Sequence, residues 1–461
     1  MRVKAISRST STYVPQGTTS TPVPRNLNPA LHPFEKAREY TRALNATKLD
    51  RLFAQPFLGQ LGNGHVDGVY TFAVDPKVLN RVASGSGDGV VKLWEMTDRS
   101  EVYSVKAHDG VVKDMCYSDD GKLLTCASDQ KIKLWDHPSK LEGKSTGDQI
   151  KPLMTYLGAN SFNSITHHRY DQVFATASSS IGIWDISRSK PTSNLNWGSD
   201  SINVVRFNTT ETSILASAGA DRSLVFYDLR MSTPVTKLIT TMSTNAISWN
   251  PVEPFNLAIG NEDHNAYIFD MRKLERALNV LKDHVAAVMD VCYSPTGQEL
   301  VTGSYDRTLR IYSVREHGHS RDIYHTKRMQ RCQRVADTLS FVPSIFSVAF
   351  TPDARYVLSG SDDGNIRLWR AKASERSHVR STRERVKLEY DEALKKRYQH
   401  MPEIRRIARH RHLPKTIKKM SETKKVQLGS IKRKDENRRK NGELMSARTP
   451  ERQKMVVKTI Q

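Results

Sequence analysis

A histidine followed at a fixed distance by an aspartate and an aromatic ring is the first arrangement in this chain that could do chemistry. His65, His108 and His284 stand 27 to 29 residues before Trp94, Trp135 and Tyr312. An Asp stands six residues before an aromatic in six places: Asp88, Asp129, Asp221, Asp263, Asp306 and Asp363, the last of these before Trp369. A histidine beside an aspartate can move protons as a general acid–base pair. An active site needs one such pair, whereas here the pattern returns along the chain. Recurrence points to architecture: the same polar set forms a buried hydrogen-bond network in each copy of a repeat, which is favourable when every member is satisfied. The sequence has no P-loop, no Gly-x-Ser-x-Gly and no His-Glu-x-x-His, so a protein without catalytic activity or cofactor is expected. Cys116, Cys126, Cys292 and Cys332 lie far apart with no Cys/His ligand spacing; neither a zinc site nor a disulfide framework is indicated, and a reducing compartment follows.

The elements that must hold these residues show in seven segments that end alike: Ser84–Glu95, Thr125–Asp136, Thr176–Asp185, Ser217–Asp228, Ile259–Asp270, Thr302–Ser313 and Ser359–Arg370. Their closing aromatics, Trp94, Trp135, Trp184, Tyr227, Phe269, Tyr312 and Trp369, are spaced by 41, 49, 43, 42, 43 and 57 residues. One four-stranded propeller blade takes roughly 40–45 residues. Small residues and the Asp make a tight turn, the carboxylate capping backbone N–H groups. The alternation in Val90–Trp94 then makes a strand. The third segment has Ser in place of the Asp and segments four to six lack Trp, so several networks are expected to be incomplete. A ring of blades must close, because an open one leaves an unpaired strand edge; Lys48–Leu58 is the expected closing strand, and the propeller is placed at residues 47–370. The long last spacing comes from extra sequence around Arg331 to Ile345, read as a surface loop or as an error in the coding sequence.

Charge is segregated along the chain. The net charge of +22 sits at the ends: 28 Lys and Arg against 11 Asp and Glu from Ala371 to Gln461, and 7 against 2 in the first 45 residues, with the stretch between balanced at 36 each. Such arms are suited to a polyanion. Residues 1–46 read as a basic N-terminal arm. Beyond Arg370 the period becomes helical: Ser381–Glu384 reads as a capping box, and Val386, Tyr390, Leu394, Tyr398 and Met401 form one stripe. Pro402 opens a second helix with Ile404 and Ile407 on one side and Arg405, Arg406, Arg409 and Arg411 on the other. The stripe is expected to dock on the propeller, leaving the arginines outward for phosphate. Residues 371–420 are read as a helical basic extension and 421–461 as a disordered basic tail. No apolar run approaches the roughly 18 residues of a membrane span, and the N-terminus lacks a secretory signal. Its basic, Ser/Thr-rich start weakly imitates a mitochondrial transit peptide, but Lys432–Lys440 looks like a nuclear import signal.

Gly64-His65, Ala107-His108 and the Trp-Asp endings resemble the signatures of WD repeats, a family in which the His, the turn Asp, a strand Ser or Thr and the Trp bond within each blade. The fold class is therefore all-β, a seven-bladed WD-repeat β-propeller with a basic α-helical C-terminal extension. Five further segments, Pro29–Glu35, Arg38–Tyr40, Arg42–Leu49, Tyr324–Met329 and Arg406–Lys415, resemble WD-repeat proteins that carry a Sof-type C-terminal domain, and the match runs to about Lys419. That resemblance implies a nucleolar component of the small-subunit processome, associated with a box C/D small nucleolar ribonucleoprotein and needed for 18S rRNA maturation, with pre-rRNA and other processome proteins as partners. Periodicity and charge by themselves give a propeller with polycationic arms.

Two functions remain in view. A scaffold for nucleolar ribosome assembly would use neutral blades for proteins and Arg405, Arg406, Arg409, Arg411, Lys415, Lys418, Lys419, Lys432, Arg433 and Lys434 for RNA phosphate. Base-specific reading is not indicated, since no RNP-type aromatic motif is present. The alternative is a substrate receptor of a cullin-type ubiquitin ligase: Tyr227-Asp228-Leu229-Arg230 and Phe269-Asp270-Met271-Arg272 look like the Trp-Asp-x-Arg pairs that dock WD proteins on a cullin adaptor. A local Asp–Arg ion pair is the bland reading of the same residues.

Overall fold

Short segments of alternating polarity, each bounded by a tight turn, pair into seven antiparallel four-stranded sheets, one of which carries a fifth strand. The computed structural model describes residues 34–136, 151–198, 201–231, 233–315, 318–325, 344–375, 380–441 and 450–460. Contacts divide the chain into a unit of residues up to Pro56 with Lys372–His412, and a unit of Phe57–Ala371 with Leu413–Gln461. The expectations for Thr326–Met329, for most of Arg331–Ile345, for Cys332 and for the start of the N-terminal arm lie outside the described residues.

The second unit is the seven-bladed propeller. Its turns explain why the Asp recurs. In each of the six Asp-bearing blades the next residue takes a left-handed backbone: Gly89, Gln130, Arg222, His264, Arg307 and Gly364, with φ between 62° and 82°. The Asp carboxylate then accepts the amide two residues on, at 2.9–3.3 Å, from Val90, Lys131, Ser223, Asn265, Thr308 and Asn365. One carboxylate thus fixes a conformation that most L-residues avoid. Ser178 of blade 3 cannot do this, and its hydroxyl bonds Ser180 O instead.

Each blade's second strand is almost fully buried, as in Arg81–Ser86 of blade 1, and its third strand is at least half buried, as in Val90–Glu95. Apolar clusters sit between neighbouring blades; one joins Ala83, Leu93, Val112, Met115 and Trp135. The ring closes where Phe57–Gln60 pairs with Ile366–Arg370, aligning Phe57 with Trp369 and Gln60 with Arg367. The closing strand therefore starts at Phe57, and the expected one from Lys48 is corrected: residues through Leu52 complete a helix, α1 (Glu35–Leu52). Pro56 explains the division, because it removes a donor and forces the residue before it out of helical geometry.

The propeller unit also keeps the end of the chain. A helix we call α4 (Lys415–Asn441) is followed by the strand Val456–Ile460, which pairs with Pro234–Thr240 as the fifth strand of blade 4. Met455 is 1% exposed and belongs to the apolar cluster of blades 4 and 5 with Phe226, Leu238, Leu274 and Ala277. The expectation of a disordered tail from residue 421 is thus corrected at both described stretches. The signal lay in Met455-Val456-Val457, an apolar run too short to weigh against the surrounding charge.

The other unit is helical. α1 packs with α2 (Thr382–Arg397) and α3 (Pro402–Arg409) around buried Ala43, Leu394 and Ile404, flanked by Tyr40, Tyr390 and Tyr398. Ser381 caps α2, accepting the Glu384 amide at 3.3 Å. The stripe expected to dock on the propeller has α1 as its partner. Polar contacts set the register: Arg397 pairs with Glu39 at 2.8 Å, Tyr398 donates to Glu39 at 2.9 Å, and Tyr40 donates to Glu403 at 3.0 Å.

Candidate nucleic-acid interface

The His–Asp constellations are spent inside the blades, to unequal degrees. In blade 2, His108 Nε2 lies 2.8 Å from Thr125 Oγ1, which also accepts Trp135 Nε1–H at 3.0 Å, and His108 Nδ1 lies 3.0 Å from Asp129. Blade 6 repeats the set with a substitute: His284 meets Thr302 at 2.6 Å and Asp306 at 2.9 Å, while Tyr312 donates to Lys282 O at 2.6 Å. Burial lowers the His284 pKa against the opposing pull of Asp306, and His284 in turn helps hold the Asp306 carboxyl far below its usual range despite burial. Blade 1 is partial. His65 Nε2 and Trp94 Nε1 converge on Ser84 Oγ at 2.6 and 2.7 Å, yet His65 Nδ1 is buried with no partner among the described residues, and Asp88 caps its own turn. In blade 7, Trp369 donates to Ser359 at 2.8 Å and Asp363 pairs with Arg367 at 2.5 Å. Arg367 is 1% exposed and, from the third strand, partners the turn Asp as a histidine does in blades 2 and 6. Sequence reasoning missed it, because an arginine on a strand reads as surface.

A second polar system inside the ring was also missed. Asp114 accepts from Arg206 at 2.6 Å, Ser164 Oγ at 2.7 Å and the Ile165 amide at 3.1 Å, joining blades 2, 3 and 4. Asp290, at the same place in blade 6, accepts Ser347 Oγ at 2.9 Å and the Val348 amide at 2.7 Å. An Asp third in the first strand of both blades was the available signal. These carboxylates staple neighbouring blades, and burial without full compensation pushes the Asp290 pKa up. Among the described residues, no group of three or more His, Cys, Asp or Glu could hold a metal ion. Burial raises the Cys292 thiol to about 12, so it is not a nucleophile at neutral pH.

The cationic residues fall in two places. Ile404 anchors α3 by its apolar side, and Arg405, Arg406 and Arg409 are exposed on the other. Arg411 is half-buried, its guanidinium donating to Ala408 O at 2.6 Å, so it serves the α3 terminus. In the propeller unit, α4 is anchored by Ile417, 2% exposed, and by Lys424, whose ammonium donates to His284 O at 2.6 Å. Burial lowers the Lys424 pKa. Lys415, Lys418 and Lys419 are exposed on the first turns of α4, and Lys432, Arg433 and Lys434 are exposed farther along it. The residues read together as phosphate contacts thus belong to two units.

The Asp-x-Arg pairs differ from one another. Arg272 is held by Asp270 through two bonds of 3.1 and 2.9 Å and lies 4.1 Å over Phe255, with its side chain 60% exposed. Arg230 donates to Ser213 Oγ at 3.1 Å and is exposed, while Asp228 caps the Arg230 amide at 3.0 Å.

The Sof1-like domain model matches residues 371–456, and the model of the WD domain, G-beta repeat, matches residues 57–95, 99–136, 275–313 and 338–370. Over its whole length the chain is 51% identical to Protein SOF1 of Saccharomyces cerevisiae, of which it covers 95%. The chain belongs to the Sof1 family. It is also 54% identical to Protein sof1 of Schizosaccharomyces pombe over 96% of its length and 95% of the relative's. A Xenopus laevis relative, 45% identical over all of both chains, is called DDB1- and CUL4-associated factor 13. In this Sof1 family member the matched Sof1-like region takes in α2, α3, α4 and Met455, so it contributes to both units.

Proposed function

We propose that this Sof1 family member is a non-catalytic scaffold of nucleolar ribosome assembly. It acts in 18S rRNA processing within the small-subunit processome, with pre-rRNA and a box C/D small nucleolar ribonucleoprotein as partners. The observation that carries the reading is the outward display on α3 and α4 of cations that have no ion-pair partner among the described residues, in a chain whose residues 46–370 balance at 36 Lys and Arg against 36 Asp and Glu. Arg405, Arg406 and Arg409 are held on the short helix α3, anchored by Ile404, and Lys415, Lys418, Lys419, Lys432, Arg433 and Lys434 on the long helix α4, anchored near its start by Ile417. That arrangement favours phosphate contact over base reading. The His–Asp pairs are consumed by blade architecture, which supports a role without turnover.

The test is in-cell RNA crosslinking of the full chain beside a full-length form with those nine residues changed to Gln. A truncation at Arg370 is the wrong comparison, because it also removes the fifth strand of blade 4. Pre-ribosomal and small nucleolar RNA are expected to dominate and to drop several-fold in the Gln form; an unchanged profile overturns the reading.

A second reading is favoured by the printed name of the Xenopus laevis relative and by the Asp-x-Arg pairs on adjacent blades. It makes the chain a receptor on a cullin-ligase adaptor, through Arg230 and Arg272. Co-purification with the adaptor should be lost on Arg230→Ala with Arg272→Ala; binding that survives the double change rejects this reading.

A further inference from the structure

In six blades a bulge after the first residue of the first strand turns one side chain toward the central channel: Tyr70, Lys113, Asn203, Asn245, Met289 and Phe346. A bulge re-aims its residue in this way. All six line a cavity of about 680 Å³. The ring they form is polarised. Tyr70 and Phe346 stack with centroids 4.7 Å apart, and Tyr305, from the turn of blade 6, meets Phe346 edge-on at 5.8 Å. Tyr305 is 44% exposed.

Two carboxylates flank this aromatic arc. A Cβ at Gly87 would lie 3.1 Å from Asp67 Cγ and 3.0 Å from Tyr70 Cε2, and one at Gly68 would lie 3.3 Å from Asp362 Oδ1. Asp67 accepts its neighbouring Gly68 amide at 2.7 Å. Among the described residues neither Asp67 nor Asp362 has a cation within ion-pair distance, whereas adjacent Asp363 is neutralised by Arg367. The charge is felt locally: burial and then Asp67 and Asp362 push the Tyr70 phenol up, and burial and then Asp67 push the Asp362 carboxyl up.

We propose that this aromatic and acidic side of the channel mouth docks an Arg or Lys side chain from a basic segment of a partner protein. A cation over the exposed Tyr305 ring gains the ring quadrupole attraction, and two carboxylates with no ion-pair partner among the described residues supply its counter-charge. Phosphate would meet the same carboxylates with repulsion, so nucleic acid is not the occupant. In a chain of net charge +22, this is a place where a basic partner is attracted.

The test uses the full chain and three fluorescein-labelled nonapeptides, Gly-Ser-Gly-X-Gly-X-Gly-Ser-Gly with X as Arg, Lys or Gln, followed by fluorescence polarisation at low salt. The Arg and Lys peptides should bind and the Gln peptide should bind at least tenfold more weakly. Asp67→Asn with Asp362→Asn should weaken the Arg peptide at least tenfold, and Tyr305→Ala several-fold, without changing the affinity for a 20-nucleotide polyuridine. Asn can still accept the Gly68 amide, and an unchanged unfolding midpoint verifies the fold. No binding of the Arg peptide at 1 mM, equal binding of the Arg and Gln peptides, or binding untouched by the substitutions overturns the proposal. So does loss of polyuridine affinity with the peptide unaffected, which would make the mouth a nucleic-acid surface.

Discussion

Replacing Met455 by Ala tests whether the end of the chain is a working part of the propeller. Met455 is 1% exposed in a cluster with Phe226, Leu238, Leu274 and Ala277. It is held there by backbone bonds from Thr241 N to Met455 O and from Ala277 N to Arg452 O, both 2.9 Å. Truncating a buried Met to Ala costs roughly 2–5 kcal/mol, the lower part of the range applying where the site can collapse. Met455 sits on a terminal strand that can shift, so about 3 kcal/mol is expected. At roughly 2–4 °C per kcal/mol for a domain of some 200 residues, and less for a larger one, the midpoint of thermal unfolding should fall by about 5–8 °C. The matched control is Val457→Ala: Val457 is 63% exposed, and a surface change of this kind stays within about 0.5 kcal/mol. Calorimetry of the two full-length variants beside the parent decides the matter. A Met455→Ala midpoint within about 1 °C of the Val457→Ala midpoint would refute the reasoning and return the tail to free solvation.

Three further outcomes follow from the blades and α4. His65 has its pKa lowered by burial from 6.5 to about 4, so folding favours its neutral ring. Its contribution is whole above about pH 6.5 and falls away as pH drops toward 4, with about 2 kcal/mol lost by pH 5; denaturant titrations at pH 7.5 and 5 should show a shallower pH dependence in His65→Gln. Asp306→Ala removes the partner of buried His284 together with the Val285 and Thr308 bonds and should cost about 3–5 kcal/mol, whereas Asp88→Ala, losing the Val90 turn bond, should cost about 1 kcal/mol; equal denaturation midpoints would contradict the unequal networks. Lys424→Ala removes the bond to His284 O, so trypsin should cut within 432–440 several-fold faster than in the parent, and an unchanged rate would mean that Ile417 anchors α4 without it.

The ring was legible in the sequence because its physics repeats. Each Asp sets the same left-handed turn, and six copies of one constraint stand out from noise. The family was legible too, from motifs near both ends. What failed to show is what occurs once or depends on distant partners. Residues from Lys48 looked like a strand because the apolar pattern of α1 is weak; its core contribution is small Ala43, whose mates Leu394 and Ile404 lie some 350 residues away. Arg367 and Lys424 are long cationic side chains that composition reads as surface: Arg367 turns back to Ser361 and Asp363 within its own blade, and Lys424 is half-buried against the distant His284 carbonyl. Met455 carries the last strand in the midst of charged sequence, where composition argues for disorder. Among the phosphate-contacting candidates, spacing could suggest a helix for Arg405, Arg406 and Arg409, but not that Arg411 turns back to its own helix end.

The central claim, a neutral ring with cationic helices that reach phosphate, is most directly tested by the salt dependence of RNA binding. The full chain and a form with Arg405, Arg406, Arg409, Lys415, Lys418 and Lys419 changed to Gln should be titrated with an 18S-precursor transcript across a range of salt. Each lost phosphate contact on single-stranded RNA lowers the slope of log K against log salt by about 0.7, so six should lower it by roughly 4. A properly folded variant with an unchanged slope would contradict the account and move the RNA to the propeller.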